Sequence, residues 1–222
     1  MQTFRRFRYE KSDELPSKFG DDVRTPESFV AEFVEEFSEE GDTVIDPFAG
    51  FGTTLKVAEE FGRIPYGIEY EAERVAYIED RIEHAENIVR GSALELASYD
   101  LPTFDLCLTS PPYMAEEDTR NPFRNYAGKS RYDEYLENVG DAFSQLAEFM
   151  ATDSHVLVDV SNLKNEGNVT TLAWDAVDVL SSTFRFEGEV VVAWEGAEST
   201  DGTGAYGYGY DHNYCLVFRN EK

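Results

Sequence analysis

The apolar positions of this chain change their period repeatedly, and the changes mark its elements. Residues 1–24 mix basic, aromatic and turn residues without a period and read as an arm. From Phe29, the apolar positions Phe29, Val30, Phe33, Val34 and Phe37 form one helical stripe. Thr25 stands as its N-cap, Pro26 at its first position, and Gly41 at its end. Strand, glycine turn and helix follow in Asp42-Thr43-Val44-Ile45-Asp46, then Gly50 to Gly52, then Leu55 to Phe61. Gly62 closes that helix, and Ile64 to Glu69 reads as a second strand.

A charged helix is expected over 71–85 with Val75, Ile78 and Ile82 inward, then a short strand and turn over 87–93 and a helical turn over 94–98. Phe104 to Thr109 is an apolar run short enough for a buried strand, and Tyr132–Met150 has helical spacing again. His155–Val160, a helix over 170–184, Gly188–Trp194 and Tyr214–Phe218 complete the chain. This alternation predicts an α/β fold with a mostly parallel sheet covered on both faces. The expected organisation is an arm over 1–24 and one domain over 25–222.

Composition alters the picture in two ways. The net charge is −26, from 45 Asp and Glu against 19 Lys and Arg. That surface suits a very salty cytoplasm, where self-repulsion is screened over a few ångströms. Ten of the 19 basic groups nonetheless fall in two stretches, residues 1–24 and 114–131, the second holding Arg120, Arg124, Lys129 and Arg131. These are candidate nucleic-acid contacts. No run of 18 apolar residues and no signal-peptide core appear, so a soluble, cytoplasmic protein with no membrane partner is expected. Cys107 and Cys215 each lie in an apolar run without metal-ligand spacing, so they read as buried hydrophobes and no metal is expected. His155 and His212, at strand starts, read as structural.

The candidate chemistry lies where strands end. In an open α/β sheet, ligands bind at the carboxyl ends of the strands. After the first of these, Asp46-Pro47-Phe48-Ala49-Gly50-Phe51-Gly52-Thr53-Thr54 joins strand to helix through glycines, an arrangement that turns backbone N–H groups toward a ligand. Asp46 reads as a cap on a backbone N–H of that loop. Glu69 falls 19 residues after Gly50, the separation at which an acid accepts the hydroxyls of a ribose. The other strand end carries Thr109-Ser110-Pro111-Pro112-Tyr113. Two prolines fix φ twice and remove two donors, leaving rigid carbonyl acceptors with an aromatic ring behind. That is a pocket for a flat group bearing N–H donors. Between the last two strands, Tyr206, Tyr208 and Tyr210 alternate with glycine, either as a hairpin loop or as a stacking surface for bases, with Tyr208 a candidate contact.

With both motifs in view, the sequence resembles the S-adenosylmethionine-dependent methyltransferases that act on exocyclic amines of nucleic-acid bases, the DNA N4-cytosine and N6-adenine group. Asp46 to Thr54 is similar to that family's DPFxGxGTT loop, and Thr109 to Tyr113 to its catalytic (S/N/D)PPY motif in the serine form commonest among N4-cytosine enzymes. Arg24-Thr25-Pro26 resembles its cofactor-tail segment, and 212–219 its closing strand. The resemblance implies a Rossmann-like class I fold with a seven-stranded sheet whose last strand is antiparallel. It implies S-adenosyl-L-methionine as cofactor, held by Thr25, Pro26, Asp46, Phe48, Ala49, Gly50, Gly52, Thr53, Thr54, Glu69, Ser92, Ala93 and Thr109. It implies catalysis by Ser110, Pro111, Pro112 and Tyr113. Two departures stand out: Gly91-Ser92-Ala93 replaces the usual Gly-Asp-Ala at the adenine, and the cofactor loop precedes the catalytic motif with no long recognition insert. Methylation of DNA at cytosine N4 leads, with ribosomal RNA as the nearest alternative. Protein glutamine methylation, which Ser110 disfavours, and a silent cofactor-binding module come behind them.

Overall fold

The computed structural model describes residues 2–9, 15–19, 24–165, 167–196 and 209–222. In chain order, the elements are β1 (Phe4–Arg8), α1 (Glu27–Phe37), β2 (Thr43–Asp46), α2 (Thr53–Glu60), β3 (Ile64–Glu69), α3 (Ala72–Glu79), β4 (Ile88–Arg90) and β5 (Phe104–Thr109). They continue as α4 (Tyr132–Ala147), β6 (Met150–Val160), β7 (Leu163–Asn165), β8 (Asn168–Thr170), α5 (Leu172–Leu180), β9 (Arg185–Glu195) and β10 (His212–Arg219). Eight strands form one sheet in the order β1-β9-β10-β6-β5-β2-β3-β4. Only β10 runs against its neighbours, β6 and β9. The β7–β8 hairpin forms a separate two-stranded sheet.

Central strands bury both faces, which is why β5 reads as a nearly unbroken apolar run. On one face, Phe29, Phe33 and Val34 of α1 pack on Val44, Leu106, Leu108, Leu157 and Val217. On the other, Tyr135, Phe143 and Leu146 of α4 and Leu172, Ala176 and Leu180 of α5 pack on Ile45, Cys107, Val156, Val158 and Leu216. A third cluster joins Leu55 of α2, Val75 and Ile78 of α3, and Ile88 of β4. A Cβ on Gly67 of β3 would stand 2.6 Å from Leu55 Cδ1, so glycine there lets α2 lie close on the sheet.

The structure corrects the arm. Phe4–Arg8 pairs parallel with β9 and makes the sheet eight-stranded, one strand beyond the seven expected. Its residues alternate with Arg5 and Phe7 inward. Phe7 packs edge-on to Phe29 at 5.7 Å and tilted on Trp194 at 5.8 Å. Arg5 takes the other inward position because Glu32 and Glu36 of α1 pair its guanidinium, which also lies over the Phe33 ring at 4.7 Å. An inward arginine hides a period of two from any hydrophobicity pattern. Helix ends also move. Pro26, not Thr25, is the N-cap of α1, its carbonyl accepting from Phe29 N and Val30 N. Ser38 ends that helix by donating Oγ and N to the Val34 carbonyl at 2.6 and 3.1 Å, ahead of Gly41.

Candidate active site

The carboxyl ends of β2, β3, β4, β5 and β6 and the amino end of the reversed β10 meet at one sheet edge. A cavity of about 700 Å³ opens there. That size falls within the roughly 300–1,000 Å³ usual for small-ligand sites.

The glycine loop forms one wall. Asp46, at the end of β2, accepts from Phe48 N at 3.0 Å and from the Thr109 hydroxyl, so it caps the loop and ties it to the end of β5. Burial pushes its carboxyl up to about 6, against the opposing pull of the Thr109, Phe48 and Thr54 hydrogen bonds. Gly50 (φ +56°) and Gly52 (φ +76°) both take the left-handed conformation that favours glycine, and Gly52 is the N-cap of α2. Gly50 N–H donates to Glu69 Oε2 at 2.8 Å, and Glu71 N–H donates to Glu69 Oε1 at 2.7 Å. Gly50 and Glu69, 19 residues apart in sequence, are thus in direct contact. A carboxylate has about four acceptor sites, so each Glu69 oxygen keeps one for a ligand. Burial raises the Glu69 carboxyl, with the Glu71 N–H and Arg74 pulling the other way.

At the neighbouring turn, Ser92 Oγ accepts from Leu94 N, and Tyr99 Oη accepts from Ser92 N at 2.8 Å while donating to its carbonyl at 3.2 Å. Ser92 is thus a cap held by a tyrosine. The segment Thr109–Tyr113 forms the opposite wall. Tyr113 Oη donates to the Asp159 carbonyl at 3.2 Å and stands 3.3 Å from Ser110 Oγ. Fully buried Tyr135 of α4 donates its hydroxyl to the Pro112 carbonyl at 3.1 Å. The Pro111 carbonyl accepts no hydrogen bond among the described residues, and Pro111 lines the cavity. Of two successive proline carbonyls, one is spent on the fold and the other has no hydrogen-bond partner among the described residues.

The structure brings together Thr25, Asp46, Phe48, Ala49, Gly50, Thr53, Thr54, Glu69, Ser92, Ala93 and Thr109 with Ser110, Pro111, Pro112 and Tyr113. Pro26 and Gly52 do not line the cavity, since each is spent as a helix cap. Arg120, Arg124, Lys129 and Arg131 are exposed on the segment from Met114 to Arg131 and are not among the residues that line the cavity. Arg124 lies 3.6 Å from Glu134, and Arg131 pairs with Asp133. Tyr208, like Tyr206, lies outside the described residues. The same segment supplies a wall that sequence reasoning missed: buried Asn121 binds Asn138 and Phe123 N, and it sets Phe123 edge-on to Phe48 at 5.6 Å. Asp159 and Asn213 were missed as well.

Comparison with known proteins agrees with this geometry. The family model for DNA methylases of the N6/N4 type matches residues 4–80, a span that contains β1, the glycine loop and Glu69. The fold is similar to that of TrmN from Thermus thermophilus, with a TM-score of 0.60 at 14% identity over 87% of this chain. This chain spans only 48% of that one. The Rossmann-like α/β fold is the one these methyltransferases share. A putative rRNA-methylase from Clostridium thermocellum matches at a TM-score of 0.56 and 11% identity, over 89% of this chain and 99% of that one. The N-methyltransferase NodS from Bradyrhizobium japonicum WM9, solved with S-adenosyl-L-homocysteine, matches at 0.57 and 10% identity, over 88% and 86%. The donor set suits that cofactor: two free acceptor sites on Glu69 for ribose hydroxyls, and an acid-capped glycine turn leading into a helix N-terminus. Among the described residues, no helix is long and apolar enough to cross a membrane, and no group of His, Cys, Asp and Glu could hold a metal ion.

Proposed function

We propose that this chain methylates the exocyclic N4 amine of cytosine in DNA. The observation that carries the proposal is the Pro111 carbonyl, a fixed acceptor without a hydrogen-bond partner among the described residues, set in a cavity wall beside Ser110 and Tyr113. The DNA methylase match and the serine of the motif support the choice of polymer and base.

S-Adenosylmethionine supplies a sulfonium-bound methyl group. Glu69 holds the ribose through its remaining lone pairs, while Phe48, Gly50 and the start of α2 at Thr53 and Thr54 enclose the methionine part. The lone pair of an aromatic amine is delocalised into its ring and attacks poorly. By accepting one amine hydrogen, the Pro111 carbonyl and the Ser110 hydroxyl hold that hydrogen out of the ring plane and raise electron density on nitrogen. They thereby favour the tetrahedral transition state over the planar substrate. Tyr113, anchored through its hydroxyl, offers its ring to the base. A base inside a duplex cannot reach such an edge, so it enters flipped out or already unpaired. Arg120, Lys129 and Tyr208 are proposed backbone or base contacts, joined by Arg124 and Arg131 once these exchange their carboxylate partners for phosphate.

Transfer of radiolabelled methyl groups to DNA, total RNA and protein, followed by nucleoside mass spectrometry, tests the reading. N4-methyldeoxycytidine is expected, and label confined to RNA or to protein overturns it. Ser110→Ala should keep affinity for S-adenosylhomocysteine within about twofold while losing transfer. Undiminished turnover in that variant removes Ser110 from its role.

A further inference from the structure

One carboxylate in the cavity wall has no place in this account. Asp159 is the next-to-last residue of β6, is 3% exposed, and lines the same cavity as Ser110, Pro111 and Tyr113. Asn213 of β10 also lines the cavity and donates its Nδ2–H to Asp159 Oδ1 at 3.3 Å. Among the described residues, Oδ2 accepts from nothing. The Asp159 backbone carbonyl meanwhile takes the Tyr113 hydroxyl, which fixes the residue against the catalytic segment. An acid taken out of water with a single long hydrogen bond is costly unless a ligand completes its partners. Resting on the amine-methylation reading, we propose that Asp159, oriented by Asn213, is a second acceptor for the base amine and takes the proton that its nitrogen sheds.

The step balances. The nitrogen lone pair forms the new N–C bond as the C–S bond breaks, with the C–S electron pair remaining on sulfur. The methylated nitrogen then carries one hydrogen too many. That proton passes to the Asp159 carboxylate, which becomes the neutral acid and later returns the proton to water. Burial supports this chemistry by pushing the Asp159 carboxyl up to about 7, with the Asn213 hydrogen bond opposing. The groups around it are the Cys215 thiol on β10, held protonated by burial, the Tyr113 hydroxyl, and, elsewhere on the cavity lining, Asp46 and Arg24.

The test uses single-stranded oligonucleotides containing either deoxycytidine or deoxyuridine, which exchanges the amine for a carbonyl, binding to the protein saturated with S-adenosylhomocysteine in about 1 M KCl to screen bulk repulsion. The wild type should prefer deoxycytidine by about tenfold or more, because a uracil carbonyl sets acceptor against acceptor. That preference should grow as pH rises through about 7, where Asp159 ionises. Asp159→Asn should bind S-adenosylhomocysteine unchanged, lose both the preference and its pH dependence, and slow transfer by about 10²-fold or more. Asp159→Glu should restore part of each. If Asp159→Asn keeps the preference, the inference fails and the amine reading stands. If the wild type shows no preference, the amine reading itself fails. If Asp159→Asn weakens S-adenosylhomocysteine binding instead, the carboxylate serves the cofactor and the inference is wrong.

Discussion

Glu69→Gln perturbs the cofactor half of the site at one atom. The carboxylate accepts from Gly50 N–H and Glu71 N–H at 2.8 and 2.7 Å and keeps one site on each oxygen. Glutamine retains one acceptor oxygen and presents an NH2 where the other stood, so one backbone N–H meets a donor and one ribose hydroxyl loses its acceptor. A hydrogen bond to a charged group is worth about 1.5–3 kcal/mol, which converts to about a 10- to 100-fold weaker Kd. The backbone side of the loss should destabilise the ligand-free protein by about 1–3 kcal/mol, or roughly 2–4 °C of Tm per kcal/mol for a chain of this size. Calorimetric titration with S-adenosylhomocysteine reads the first effect and thermal denaturation without ligand the second. The pH dependence has a definite sign. Burial raises the Glu69 carboxyl, so the accepting, ionised form is lost earlier than in an exposed glutamate as pH falls, and wild-type affinity should drop with it. A variant that binds within twofold of wild type and follows the same pH curve would refute the ribose assignment, since glutamine cannot titrate.

Two further perturbations separate the site from the scaffold. Tyr135→Phe removes the donor to the Pro112 carbonyl and should cost about 1–1.5 kcal/mol. It should reduce methyl transfer more than S-adenosylhomocysteine binding, because Tyr135 holds the catalytic segment and not the glycine loop; parallel measurement of kcat and Kd decides. Phe7→Ala truncates a 5%-exposed ring packed on Phe29 and Trp194 and should cost about 3–5 kcal/mol in chemical denaturation, whereas an aperiodic arm would cost almost nothing.

The order of strands was legible because burial leaves a periodic trace. Ile45, Leu106, Cys107 and Leu108 read as strand since both faces of β2 and β5 are covered. β1 was not legible, since half of its inward face is an arginine whose burial depends on Glu32 and Glu36, about thirty residues away in sequence but on the facing helix. The β7–β8 hairpin was missed for a different reason: three-residue strands carry too few positions to show a period.

In the site, what could be read was what the backbone demands. Gly50, Gly52 and the paired prolines mark themselves because few residue types adopt those conformations, and Glu69 is found by counting from them. Asp159 carries no such mark. It is the next-to-last residue of the run His155-Val156-Leu157-Val158-Asp159-Val160, where a lone acid resembles any polar position near a strand's end. Asn213 sits two residues before Cys215, the partner of Asp159 in the ladder, so the contact between them exists only once β10 reverses beside β6. A parallel strand in that place would present its carboxyl end to the site edge; reversal brings the amino end of β10 there instead, and with it the amide that orients the carboxylate. The antiparallel last strand thus supplies the site with Asn213, and the chemistry of Asp159 depends on topology that no local pattern in either segment records.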